Sequence, residues 1–295
     1  MNRYFFKSSH PFVSSSYYVL MLLIVMSTTN PIVISICFLA SVSLRLLQMA
    51  NNKKSGLLYP MVLVLLLTLT NPFFVHRGGT ILFFFLNKPI TQEALIYGFF
   101  SGLMIASVIY LFQAFQASVD SEQFFYLFGK RFPKLTLILT MIFRFMPLFQ
   151  QYYWELNQVQ KTLQRTQQRT FKEKASYGLD LFGNLFSWAL ENAMDTADSM
   201  KARGYGVTKR SSRISYPWRI QDTAALFLLI GCSGAFFIAL TKGYYQYNFY
   251  PYTESFTLLW QNHGWNYVLI ILVAFIPIVK RIKEGIIWAI LKSRI

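Results

Sequence analysis

Three carboxylates, Glu191, Asp195 and Asp198, recur at i, i+4 and i+7 in a proline-free stretch. On a helix that spacing puts all three on one stripe. Clustered carboxylates can do general acid–base chemistry. No His or Cys lies between 144 and 219 to complete a catalytic or metal-binding set. An exposed acidic face, paired with Lys or Arg of a neighbouring helix, is the simpler reading. His10, His76 and His263 are scattered, and Cys37 and Cys232 sit in separate apolar runs, so no metal site is expected. Gly129-Lys130-Arg131 is the nearest approach to a nucleotide phosphate loop, and it lacks the hydroxyl residue. The chain carries no catalytic engine and calls for no cofactor.

The same stretch holds a second pattern. Ala189, Ala193 and Ala197 recur every four residues, a small-residue stripe that lets another helix approach closely. The segment then runs into Met200-Lys201-Ala202-Arg203-Gly204-Tyr205-Gly206. Gly204 suits the left-handed residue after a helix end, and Lys201 and Arg203 complement the negative end of the helix dipole. An Arg at the tip of a rigid helix also presents a planar fork suited to a carboxylate or carbonyl groove on a partner.

What positions these residues follows from composition. The 295 residues are 54% apolar and only 14% charged, with 29 Phe, against about 25% charged in ordinary globular proteins. Disorder and a disulfide scaffold are both excluded. Charge-free runs give six membrane spans: Phe12–Ser27, Pro31–Leu47, Leu57–Val75, Ala94–Val119, Thr223–Thr241 and Ser255–Val279. The first two are separated at Asn30-Pro31, where turn residues precede a proline. The expected fold is all-α, a polytopic membrane helix bundle with long cytoplasmic helices.

The net charge of +16 finds its explanation in topology rather than in nucleic acid. With both termini inside, all the basic residues except Arg77, Lys88 and Lys242 fall on the cytoplasmic side. Three regions result: 1–143, a membrane bundle of four spans; 144–219, cytoplasmic helices; 220–295, two further spans and a basic tail. Leu135–Phe143 is too short to cross and is read as interfacial or packed on the bundle. A first cytoplasmic helix is expected over Pro147 to Lys174, with Gly178 and Gly183 as the breaks beyond it. Gly98, Gly102 and Ala106 form a small-residue stripe in the fourth span, suited to helix packing or to a membrane partner.

Several of these segments, in order, resemble one family. They are Arg77-Gly78-Gly79-Thr80-Ile81-Leu82-Phe83, Ile90-Thr91-Gln92-Glu93-Ala94-Leu95, Arg144-Phe145-Met146-Pro147, the stretch from Glu191 through Ala202-Arg203-Gly204, and Trp218-Arg219-Ile220-Gln221-Asp222. Together they resemble the transmembrane T component of energy-coupling factor transporters, the EcfT/CbiQ family. The resemblance implies a non-catalytic coupling subunit in a prokaryotic plasma membrane. Its partners would be two cytoplasmic ATPase subunits and one membrane-embedded S component, which binds the vitamin or transition-metal ion to be imported. Two coupling helices would each dock an Arg on one ATPase: Arg203 between Ala202 and Gly204, and Arg165 between Gln164 and Thr166, where the flanking Ala and Gly are lost. The alternative is a self-sufficient secondary transporter or channel, which calls for ionisable residues at mid-membrane.

Overall fold

The computed structural model describes residues 10–48, 55–76, 78–85, 88–129, 131–163, 170–207, 216–253 and 264–279. The chain is an all-α membrane helix bundle with one small β-hairpin. In order it runs α1 (Pro11–Ser27), α2 (Pro31–Gln48), α3 (Ser55–Phe74), β1 (Ile81–Phe85), β2 (Lys88–Thr91), α4 (Gln92–Ser118), α5 (Ser121–Gly129), α6 (Pro133–Leu163), α7 (Phe171–Ala202) and α8 (Ile220–Thr241). A shorter apolar helix, α9 (Gly264–Val279), follows. Two compact units form: residues 1–124 with 216–295, and residues 125–215.

Among the described residues, four helices, α2, α3, α4 and α8, are long and apolar enough to cross a bilayer, and those of α1 and α9 are shorter. The 17 residues of α1 reach only about 25 Å, just under a typical hydrocarbon core. In the first unit, α1 lies at the centre of the packing. Its Tyr17, Tyr18, Met21, Ile24 and Val25 are buried against side chains of α2, α4, α8 and α9. The Tyr17 hydroxyl donates to the Ala274 carbonyl at 3.0 Å.

In the turn from α1 to α2, Thr28 and Asn30 are buried, and Asn30 organises it. Its Oδ1 accepts from the Ile32 N–H at 3.0 Å, which makes it the cap of α2 with Pro31 at the first helical position. Its Nδ2 donates to the Tyr267 hydroxyl at 3.2 Å, tying the turn to α9.

The hairpin between α3 and α4 was not expected from sequence. Ile81 pairs with Thr91 and Phe83 with Ile90, antiparallel, with a register irregularity between Ile81 and Phe83. Glu93, in the first turn of α4, is buried and fastens the segment before the hairpin. It accepts from the Thr80 hydroxyl at 2.8 Å and the Thr80 N–H at 3.0 Å. Gly78 lies so close that an added Cβ would stand 2.5 Å from Glu93 Oε2. Arg77, just before, lies outside the described residues.

Gly98 and Gly102 fill their role within the chain. A Cβ on Gly98 would lie 2.9 Å from Asn71 Cβ, and one on Gly102 would lie 3.1 Å from Val64 Cα. Ala106 is fully buried in the same cluster as Val64, so α3 occupies the small-residue stripe of α4. Gly231 and Gly234 on α8, by contrast, have nothing within 4 Å. Gly102→Leu is therefore expected to destabilise the detergent-solubilised protein by about 1–3 kcal/mol through overpacking, read as a lower thermal midpoint. Gly231→Leu should leave that midpoint in place.

Candidate functional site

The second unit carries the residues with the sharpest sequence signals, and two helices build most of it. α6 is a single helix of 31 residues that runs through Pro147. This corrects the expectation of a separate segment over Leu135–Phe143 and of a helix beginning at Pro147. A proline removes one hydrogen bond, here the one to the Phe143 carbonyl, but need not end a long helix. The first half of α6 is apolar and exposed, with Leu135, Ile138, Ile142 and Phe143 all open. Its second half is polar.

The expected extension of the first helix to Lys174 is also corrected, because Lys174 belongs to α7. That helix starts after Thr170, where the Glu173 carboxylate accepts from the Thr170 N–H at 3.1 Å. Thr-x-x-Glu is a recognised helix-start signature, and it was legible in the sequence. α7 then runs 32 residues without interruption through Gly178 and Gly183. Neither glycine faces anything within 4 Å, so neither acts as a break.

Aromatic contacts join the two helices. Trp188 stacks on Tyr152 with ring centroids 4.4 Å apart and meets the edge of Phe149 at 5.6 Å. Farther along, the Tyr177 hydroxyl donates to Asn157 Oδ1 at 2.5 Å. Low residues of α7 meet high residues of α6, so the pair is antiparallel. The inner stripe of α7 is Leu181, Leu185, Trp188, Asn192 and Thr196, all buried or half-buried.

The alanine stripe faces elsewhere. Ala189 is half-buried, but Ala193 and Ala197 are exposed. The large side chains at 181, 185 and 188 bury more surface than alanines can, and they take the seam. Glu191, Asp195 and Asp198 are exposed as well. Asp198 pairs with Lys201 at 3.3 Å within the same helix, not with a neighbouring one. Among the described residues Glu191 and Asp195 make no ion pair. No group of three or more His, Cys, Asp or Glu that could hold a metal ion occurs among the described residues.

α7 has a third face. Leu179, Phe182, Phe186, Leu190 and Met194 are each at least half exposed, and their spacing places them on one stripe. The composition of the helix thus divides three ways: an inner seam, an acidic stripe and an uncovered apolar stripe.

α7 ends in a Schellman arrangement. The Tyr205 N–H donates to the Met200 carbonyl at 3.0 Å and the Gly204 N–H to the Lys201 carbonyl at 2.9 Å. Gly204 takes φ +79° and Gly206 φ +92°, backbone that costs an L-residue about 1–2 kcal/mol. Arg203, the residue at the cap, is exposed, as is Ala202. Gln164, Arg165 and Thr166 lie outside the described residues.

The family model described as CbiQ, cobalt transport protein, matches residues 10–214, more than half of the chain. No curated protein matches it. Gly204→Ala is expected to loosen the end of α7. Amide exchange at residues 204 and 205 should quicken about five- to thirtyfold, the equivalent of about 1–2 kcal/mol, while exchange in α4 stays unchanged.

Proposed function

Because this chain belongs to the CbiQ family of cobalt transport proteins, we propose that it is the coupling subunit of a multi-part importer. In this reading two cytoplasmic ATPase subunits hydrolyse ATP, a membrane-embedded S component captures the solute, and this chain transmits movement between them. It performs no chemistry of its own. The family's description favours a transition-metal ion as the solute, with a vitamin as the other class. The chain lies in a prokaryotic plasma membrane with both termini in the cytoplasm, the orientation that keeps most basic residues inside.

The observation that carries this reading is the end of α7. A 32-residue helix closes on a fixed Schellman turn with Arg203 exposed at its tip. A rigid helix is a suitable rod, and a planar guanidinium on a held backbone is a suitable foot for a groove of carboxylates or carbonyls. Arg165 is the second foot by position. Closure of the ATPases would move both ends of the helix pair, a rigid-body transmission of a familiar kind.

With Gly98, Gly102 and Ala106 occupied by α3, the surface suited to the S component is the exposed apolar stripe of α7, from Leu179 to Met194. A hydrophobic partner would cover side chains that water does not favour. The alternative, a self-sufficient carrier or channel, draws less support. Among the described residues, the charged side chains of the spanning helices lie in end turns: Arg45 in the last turn of α2, Glu93 and Asp222 in the first turns of α4 and α8. Ion-coupled carriers use such groups at mid-membrane.

Two variants separate the two contacts. Arg203→Glu should weaken the hold on the ATPase that it docks in complexes purified in mild detergent, at a cost of about 2–5 kcal/mol for a desolvated charge contact, while the S component stays bound. Phe186→Asp should do the reverse. Solute uptake by the purified chain alone in liposomes would favour the carrier reading instead.

A further inference from the structure

A polar cluster lies where α2 ends, α3 begins and α4 approaches its own end. Gln48 Nε2 donates to the Ser118 hydroxyl at 2.8 Å and to the Tyr18 hydroxyl at 3.3 Å, and those two hydroxyls are 2.8 Å apart. Three buried polar atoms beside this network have no hydrogen-bond partner among the described residues: Arg45 Nε, Gln48 Oε1 and Gln113 Oε1. Gly56 brings two of these three side chains, Arg45 and Gln113, to one point. A Cβ on it would lie 3.2 Å from Arg45 Nη2 and 3.9 Å from Gln113 Oε1. Gln48, one turn beyond Arg45 on α2, shares its face.

A guanidinium held at the end of a spanning helix, with its Nε shielded from water, needs an acceptor. Two shielded amide oxygens need donors. A ligand that offers both, an anionic oxygen set for Arg45 and N–H or O–H groups for the glutamines, would satisfy all three. The depth is that of a bilayer surface, because Arg45 closes one apolar span and Gly56 opens the next. Leu46, Leu58 and Tyr59 nearby are more than half exposed, ready to lie along acyl chains. An Arg fork takes a phosphate in two parallel hydrogen bonds.

We propose that Arg45, Gln48 and Gln113 bind the headgroup of a phospholipid that carries a donor beside its phosphate, as phosphatidylglycerol and phosphatidylethanolamine do. The phosphate faces Arg45, and the headgroup hydroxyls or ammonium face Gln48 Oε1 and Gln113 Oε1. Phosphatidylcholine has the phosphate but no such donor. The site is independent of the coupling role, and in the orientation given above it faces the cytoplasmic leaflet.

The test uses the full chain in nanodiscs and in detergent. Wild type should keep one phosphatidylglycerol or phosphatidylethanolamine molecule through delipidation, seen by native mass spectrometry. Its thermal midpoint should be higher in nanodiscs containing either lipid than in pure phosphatidylcholine. Arg45→Gln should lower retention about tenfold, the scale of one charge-assisted hydrogen bond. Gly56→Ala, which pushes on the guanidinium but keeps the helix, should lower it too, with unchanged circular dichroism. Gln113→Leu should abolish the preference over phosphatidylcholine.

Equal retention in wild type, Arg45→Gln and Gly56→Ala would overturn the proposal. So would an equal midpoint in phosphatidylcholine, or the same stabilisation by inorganic phosphate alone. Loss of a co-purifying protein partner from Arg45→Gln, with lipid retention intact, would assign the guanidinium to a partner's carboxylate and overturn it as well.

Discussion

Between α1 and α2 the chain reverses direction in three residues, two of which, Thr28 and Asn30, are buried away from water. In a bilayer each bare amide or carbonyl costs several kcal/mol, roughly, and the membrane unit is arranged around that constraint. Asn30 supplies a cap to α2 with one side-chain atom and a tie to Tyr267 with the other. Pro31 has no N–H to satisfy. At the α3–α4 connection the same need is met differently: Glu93 is held by the Thr80 hydroxyl and backbone N–H, and Asn71 donates to the Ala94 carbonyl at 2.7 Å. Once these turns are closed, the spans are left to pack by shape, which is what glycines at 98 and 102 permit.

The second unit obeys the opposite economy. Its helices are long and joined by a limited seam that includes buried Leu181 and the ring contacts of Trp188 with Tyr152 and Phe149. That leaves α7 with surface to spare on two sides. A helix meant only to be buried would not carry an acidic stripe, and one meant only for water would not carry Phe182 and Phe186 in the open. Both features fit a helix that meets other chains.

Much of this was legible in the residues, and the gaps have physical causes. The Asn30-Pro31 turn and the Gly204 stop could be read directly, because each rests on local backbone chemistry that no tertiary contact overrides. The hairpin could not. Ile81 to Phe85 is uniformly apolar, so it lacks the alternation that marks a half-buried strand, and what holds it is a long-range contact to Glu93. Pro147 misled because a proline can start a helix or sit within one, and only the apolar turns before it decide. The alanine stripe does not form the α6–α7 seam for a related reason. Small residues permit close approach but do not compel it, and the bulkier Leu185 and Trp188 on another face claimed the partner helix. The Thr170–Glu173 start was available and was outweighed by the even polarity around it.

The open Leu179–Met194 stripe bears on how a cell must make this protein. A chain displaying so much oily surface is prey for chaperones and proteases whenever that surface stays uncovered. On the proposed reading, copies left without a partner over that stripe are the ones such clearance removes.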